Sequence, residues 1–188
     1  MKKNILLGVT GSVAAILTQK LANELIKIGN IDLKIVITDK ANYFIDITNK
    51  VLSDEDEWQW EKKGDPILHI DLAKWADVMV IAPLTANTLA KITYGLADNL
   101  LTSIVRAWDY EKPLILAPSM NSVMYSNLIT TKQIKEMYHR GCIICDPVEK
   151  TLACGDTGIG AMANISTIIE NVKAYSNYDN YNNYNELP

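Results

Sequence analysis

One histidine and one cysteine of this sequence are candidates for proton transfer. His69 follows a short apolar run, and because histidine gains or loses a proton near neutral pH, it could serve as a general base. Cys154 lies in a glycine-rich stretch, where a thiol close to backbone N–H groups can donate a proton or act as a nucleophile. From its position alone, His69 is more often a structural residue. Cys154 could equally be a half-buried thiol that takes no part in any reaction. His139, beside Arg140 at a predicted helix end, is interpreted as solvated.

A polar segment directly follows the most apolar stretch of the chain. Residues 78–82 contain only Val, Met, Ile and Ala, which predicts a strand buried on both faces that stops at Pro83. Ligands of open α/β sheets bind outside the carboxyl ends of strands, close to helix N-termini. The segment 85–88, Thr-Ala-Asn-Thr, therefore predicts a site for a polar or anionic ligand, although plain helix capping explains it equally well. Asn121, after a second strand end, could bind a carboxylate through its amide.

The apolar periodicity predicts the elements that must position these residues. Buried strands are expected at residues 3–10, 33–38, 78–82, 112–117 and 142–145, with helical patterns between them. One helical stretch is broken near Gly95, residues 66–72 read as a strand-like run that leads into a short helix, and residues 154–163 read as a loop. This order predicts an α/β domain with a parallel sheet. Its strand-to-helix turns would share one edge, which suits a planar cofactor with a phosphate tail. Periodicity alone does not distinguish a flavin from a nucleotide or a sugar phosphate.

Composition narrows the classes of function. The 188 residues fit one domain, expected at 1–175, and the Asn/Tyr-rich tail 176–188 is expected to be disordered. The net charge of −4 argues against a basic surface that binds nucleic acid, and no apolar run is long enough to span a membrane. Three cysteines without secretory context predict reduced thiols and a cytoplasmic location. Cys142 and Cys145 are interpreted as core rather than as zinc ligands, so no metal is expected. Trp58 and Trp60, in an acidic surface excursion, could contact another subunit.

Taken together, several segments resemble the flavin-containing cysteine decarboxylases. The matching stretches are residues 11–15, 69–72, 75–77, 82–91, 98–101, 118–121 with Met124, and 154–162, in the order and spacing of that family. The resemblance implies a single Rossmann-like, flavodoxin-type three-layer domain that binds FMN near a subunit interface of a homotrimer. Two positions depart from the family pattern, Thr85 for the commoner Ser and Tyr125 for the usual Trp, and both keep the character of the side chain.

Site residues follow from the resemblance, position by position. The implied cofactor contacts are Gly11, Ser12, Val13, Thr38, Asp39, Lys40, Phe44, Thr85, Ala86, Asn87, Thr88 and Ser119. The implied substrate contacts are Met120, Asn121, Gly155, Ala161 and Met162, with Asn121 at the position that engages the substrate carboxylate. His69 and Cys154 stand at the two catalytic positions of the family.

The resemblance also implies a reaction, the FMN-dependent decarboxylation of 4'-phosphopantothenoylcysteine to 4'-phosphopantetheine in coenzyme A biosynthesis. A cysteinyl carboxylate loses CO2 reluctantly, because the carbanion left behind has no place for its electrons. Oxidation of the CH2–SH group to a thioaldehyde supplies that place, CO2 leaves to give an enethiol, and hydride return with a proton from Cys154 completes the product. His69 would act at the oxidation step, as a base or by orienting the substrate.

Three other functions stay open in the sequence. Peptidyl-cysteine decarboxylases resemble this chain but stop at the enethiol and lack the equivalent of Cys154. Some fungal relatives are regulatory subunits that inhibit a protein phosphatase, often with degraded catalytic motifs and long acidic extensions. A flavin-binding module without turnover is the third. The presence of His69, Asn121 and Cys154 together favours the complete decarboxylase.

Overall fold

The computed structural model describes residues 2–151 and 157–176. The strands are Lys3–Val9 (β1), Ile31–Ile37 (β2), Val51–Leu52 (β3), Val78–Leu84 (β4), Leu114–Pro118 (β5), Ile143–Ile144 (β6), Val148–Thr151 (β7) and Thr157–Ala161 (β8). The α-helices are Thr18–Lys27 (α1), Asp54–Glu57 (α2), Leu68–Trp75 (α3), Ala86–Tyr94 (α4), Leu100–Arg106 (α5), Ser122–Tyr125 (α6), Leu128–His139 (α7) and Ile165–Ser176 (α8). Short 3-10 helices cover Val13–Leu17 and Asp39–Tyr43.

A six-stranded parallel sheet forms the centre of the domain, in the order β3-β2-β1-β4-β5-β6. Helices cover both faces, because successive residues of a strand point to opposite sides. Ile5 and Leu7 of β1 pack with α1 and α8, whereas Leu6 packs with α3, α4, α5 and α7. The predicted α/β, flavodoxin-type three-layer fold with a parallel sheet is confirmed. Helix α8 ends at Ser176, and the rest of the tail predicted to be disordered lies outside the described residues.

Two parts of the sheet differ from the prediction. The structure adds a sixth strand, β3, of only two residues, which pairs with Ile35 and Val36 of β2 and is too short for a periodic signal. Strand β4 does not stop at Pro83 but runs on to Leu84. The carbonyl oxygen of Pro83 still accepts hydrogen bonds from the backbone N–H and the hydroxyl of Thr10, so β4 stays attached beside β1.

Two segments outside the sheet were predicted incorrectly, and a third, the acidic surface excursion, has local structure that was not predicted. The strand-like run before His69 is absent, since α3 already begins at Leu68 and His69 lies in its first turn. The acidic excursion contains a helical turn, α2, whose N-cap Ser53 and third residue Asp56 form a capping box. The expected loop 154–163 contains β8, which pairs antiparallel with β7 in a hairpin. The sequence pattern did not predict this strand, because Gly158 and Gly160 weaken the strand signal.

Cys142 and Cys145 are buried free thiols, as predicted for core residues. They lie three positions apart around β6, and an odd spacing along an extended chain points two side chains to opposite faces. Cys142 accordingly packs in the core cluster of α3, α5 and α7, and Cys145 in that of α1 and α8. Such an arrangement does not allow the two sulfur atoms to share a metal ion.

Both buried thiols are expected to resist alkylation in the folded protein at pH 8. Burial raises the pKa of Cys142 to about 12 and that of Cys145 to about 11. Since only the thiolate reacts, about one molecule in ten thousand and about one in a thousand would be reactive at this pH. Iodoacetamide labelling followed by peptide mass spectrometry, with and without denaturant, checks this. Rapid labelling of either residue without denaturant would contradict the buried placement.

No helix in the described ranges 2–151 and 157–176 has the length and apolar character needed to cross a membrane.

Candidate active site

The carboxyl ends of β1, β4 and β5 are tied together by hydroxyl groups. The Thr10 hydroxyl donates to the Pro83 carbonyl at 2.7 Å and accepts from the Thr85 N–H at 2.9 Å. Across the same edge, the Ser12 and Ser119 hydroxyls lie 2.9 Å apart. The turns predicted to share an edge of the sheet therefore meet, and they present polar groups where α/β folds bind ligands.

A cavity of about 450 Å³ opens beside Ser12 and Ser119. The predicted site residues among those lining it are Ser12, Val13, Ser119, Met120, Asn121, Ala161 and Met162. Ile16 and Leu17 of the first 3-10 helix and Lys150 and Thr151 of β7 also line it, and the sequence reasoning missed them. The apolar pair belongs to a helix face that is usually read as core, and Ile16 is 59% exposed, a clue that only the structure provides.

The β7–β8 hairpin closes one side of the cavity by packing on the turn after β5. The Met120 N–H donates to the Gly160 carbonyl at 2.9 Å. A Cβ atom at Gly160 would lie 2.3 Å from the Met120 carbonyl oxygen, far inside van der Waals contact. Asn121 itself caps α6, with its amide oxygen accepting from the Val123 N–H at 2.9 Å. The glycine thus permits the close approach that forms this wall.

Replacing Gly160 with alanine is expected to push β8 away from Met120 and to weaken both stability and ligand binding. The overpacking should cost about 1–3 kcal/mol in the free energy of unfolding, and therefore several degrees in Tm. Differential scanning fluorimetry and flavin titration measure the two effects. Ile159→Ala is the control on the same strand, because that side chain is 52% exposed. A Gly160→Ala protein with unchanged Tm would contradict this packing.

Other predicted cofactor residues lie at the neighbouring turns and do not line the cavity. Gly11 packs on the turn after β2, where a Cβ atom added to it would lie 2.5 Å from the Lys40 Cβ. Thr38, Asp39, Lys40 and Phe44 belong to that same turn and its 3-10 helix. At the end of β4, the Thr85 hydroxyl caps α4 by accepting from the Thr88 N–H at 3.3 Å, with Ala86 and Asn87 in between.

His69 lies apart from the cavity within one chain, on α3, and its side chain is 27% exposed. Its Nδ1 is 2.5 Å from Oε1 of Glu57, and its backbone N–H donates to Oε2 of the same carboxylate at 3.0 Å. No sequence pattern predicted this partner, because Glu57 is one of several acidic residues in a segment without a clear period.

Cys154 and Gly155 lie outside the described residues. The described residues on either side, Thr151 and Thr157, pair with each other in the hairpin, and their hydroxyls are 3.2 Å apart. Thr151 lines the cavity.

The parallel sheet and the cavity at its carboxyl edge define an α/β ligand-binding protein of the flavodoxin type. A family model described as "Flavoprotein" matches residues 1–177, so this chain belongs to the flavoprotein family. Phosphopantothenoylcysteine decarboxylase of Mus musculus is 44% identical over 177 residues, covering 92% of this chain and 87% of the relative. The protein of the same name from Oryza sativa subsp. japonica is 49% identical over 178 residues, covering 92% and 80%.

Solved structures agree with this family assignment. A cysteine-to-serine mutant of PPC decarboxylase complexed with pantothenoylaminoethenethiol superposes with a TM-score of 0.90 at 45% identity, covering 93% of this chain and 98% of that one. The FMN binding protein AtHal3 superposes with a TM-score of 0.86, also at 45% identity, covering 93% and 97%.

Proposed function

We propose that this chain is an FMN-dependent enzyme that decarboxylates 4'-phosphopantothenoylcysteine to 4'-phosphopantetheine, a step of coenzyme A biosynthesis. The observation that carries the proposal is 44–49% identity, over more than nine tenths of the chain, to relatives named phosphopantothenoylcysteine decarboxylase. The cavity at the carboxyl edge of the sheet supplies the matching physical feature.

The residues at the cavity fit FMN. The cavity volume of about 450 Å³ is in the range of small-molecule sites, about 300–1,000 Å³. Ile16, Leu17 and Met162 offer apolar surface for a planar ring, and the Ser12 and Ser119 hydroxyls offer hydrogen bonds. The phosphate is proposed to lie at this turn, because a helical segment begins at Val13 and helix N-termini favour anions.

Further cofactor contacts are proposed at the two neighbouring turns. Gly11 joins the first turn to that of Thr38, Asp39, Lys40 and Phe44 through its contact with Lys40. Residues 85–88 are attached to the first turn through Thr10. A cofactor that extends from the cavity along the sheet edge would meet these turns in succession.

The protein's own residues would bind the substrate and manage its protons. When bound, FMN supplies the reversible two-electron oxidation of the CH2–SH group that allows CO2 to leave. Asn121 would hold the substrate carboxylate, with Met120, Ala161, Met162 and Gly155 around the cysteinyl end. His69 would take a proton or orient the substrate at the oxidation step. Cys154 would donate the last proton to carbon.

We infer that the enzyme assembles as a homotrimer with the cofactor near a subunit interface. The inference is supported by apolar side chains that are exposed in one chain, among them Val13 and Ile16 at the cavity and Trp58, which is 82% exposed. Light scattering after size exclusion should give the mass of three chains, and a monomer at micromolar concentration would contradict the inference.

A cytoplasmic location is also proposed, because Cys142 and Cys145 are free thiols, as in a reducing compartment.

Turnover with two substrates tests the proposed function. The FMN-loaded protein is given either 4'-phosphopantothenoylcysteine or a peptide with a C-terminal cysteine, and CO2 and thiol products are measured. We expect CO2 and 4'-phosphopantetheine from the first substrate only. Turnover of the peptide alone would point to a peptidyl-cysteine decarboxylase, and FMN binding without any turnover would favour a regulatory or flavin-binding protein.

A further inference from the structure

Glu57 contacts His69 at two points and is itself nearly buried. One carboxylate oxygen accepts the backbone N–H of His69 at 3.0 Å, and the other lies 2.5 Å from its ring Nδ1. The Glu57 side chain is 13% exposed, against 27% for the histidine. Contacts to both the backbone and the ring of one residue fix that ring's position relative to its helix.

The local fold holds Glu57 in place. It is the last residue of α2, whose start is fixed by the Ser53 N–H donating to the Asp56 carboxylate at 2.8 Å. Asp54, at the other end of α2, accepts the N–H of Leu100 at 2.7 Å, the first residue of α5. The short helix therefore places one carboxylate at the N-terminus of α5 and another at that of α3, where negative charge is favoured.

The contact determines which ring nitrogen of His69 carries a hydrogen. An ionised carboxylate can only accept hydrogen bonds, so the nitrogen beside it must bear the proton. In the neutral ring, Nε2 then has the free lone pair and is the atom able to accept a proton. A histidine oriented in this way by a carboxylate is prepared for general-base chemistry without any movement of the ring.

We propose that Glu57 is a positioning residue for His69, which fixes the ring orientation and holds its hydrogen on Nδ1 so that Nε2 is the proton acceptor. The proposal deepens the proposed function, because it rests on His69 taking part in the decarboxylation. Glu57 acts only through His69, whereas the remaining carboxylates of α2 have other roles: Asp54 contacts α5, Asp56 completes the capping box, and Glu55 is exposed.

The tautomer of His69 can be measured without any reference to activity. Protein with 15N-labelled histidine is studied by two-bond 1H–15N correlation NMR, at a pH above which the ring shifts no longer change, and His139→Gln assigns the two histidines. We expect hydrogen on Nδ1 in the parent. In Glu57→Gln the single amide oxygen is expected to accept the backbone N–H of His69, so that the NH2 group faces Nδ1 and the hydrogen should move to Nε2. Glu57→Ala should move the hydrogen largely to Nε2. Hydrogen on Nε2 in the parent, or an unchanged spectrum in Glu57→Ala, would overturn the proposal.

Kinetics of the FMN-loaded variants supply the second readout. Glu57→Ala should lower kcat by about tenfold to a hundredfold with KM and flavin content little changed, and Glu57→Gln should lower kcat as well, because it cannot accept at both positions. Glu55→Gln removes the same charge from the exposed side of α2 and should match the parent. If Glu57→Ala does not fold, the comparison of Glu57→Gln with Glu55→Gln remains. Equal kcat in the parent, Glu57→Gln and Glu57→Ala would overturn the proposal. A parent without turnover would refute the proposed function, and the tautomer measurement alone would then test the role of Glu57.

Discussion

Replacing His69 with glutamine is expected to lower turnover of 4'-phosphopantothenoylcysteine by a factor on the order of 10² to 10⁴, the usual contribution of a positioned acid–base group. An amide can hydrogen-bond, and it can still donate to Glu57, but it cannot accept a proton in the working range of pH. Since His69 does not line the cavity beside Ser12 and Ser119, the variant should still fold and bind FMN. Steady-state kcat, with the flavin absorbance of the purified variant, measures both expectations.

His139→Gln is the matched control for this variant. His139 is the other histidine of the chain, it is exposed, and it lies at the last position of α7. The same substitution there should leave turnover near that of the parent. A His69→Gln enzyme as fast as the His139→Gln enzyme would remove His69 from the reaction. In that case the contact with Glu57 would serve only to fix α2 on α3.

Replacing Cys154 with serine should separate loss of CO2 from formation of the final product. Decarboxylation is expected to continue to the enethiol, which is two hydrogens short of 4'-phosphopantetheine. A thiol has a pKa near 8.5 in its ordinary state and an alcohol is far less acidic, so serine should fail to protonate the carbon.

Mass spectrometry of the reaction products measures the outcome for Cys154. Cys154→Ala should give the same enethiol, because the expected defect is the lost acid and not the new hydroxyl. The assignment fails if Cys154→Ser forms 4'-phosphopantetheine at the rate of the parent. Failure to release CO2 at all would move the residue to an earlier step.

Much of the fold follows from the sequence, because its dominant signals are strong ones. Strands β1, β4 and β5 are nearly continuous apolar runs, and glycines at 29, 95 and 141, all with positive φ, end helical segments. The weak points are short or glycine-rich. Strand β3 has two residues, and β8 contains glycine where its backbone must approach Met120 closely. Neither produces an apolar period in the sequence.

The candidate site was predictable where it depends on parallel strands. Carboxyl ends of parallel strands lie at one edge of the sheet, so the shared edge of the turns with Thr10, Ser12, Thr85 and Ser119 was predictable. The contact of Ser12 with Ser119 was not, because these residues follow β1 and β5, which are separated by β4. The contact of His69 with Glu57 was not predictable. It depends on an isolated helical turn of four residues, α2, and on its attachment to α5, which no local pattern encodes.

The decisive measurement is an anaerobic turnover assay, in which FMN-loaded protein is incubated with 4'-phosphopantothenoylcysteine and the CO2 and 4'-phosphopantetheine formed are quantified together. We expect a protein with flavin absorption bands that releases CO2 and 4'-phosphopantetheine in equal amounts over many turnovers. A protein that cannot be loaded with FMN would contradict the cofactor assignment. A fully loaded protein that releases no CO2 would contradict the enzymatic function.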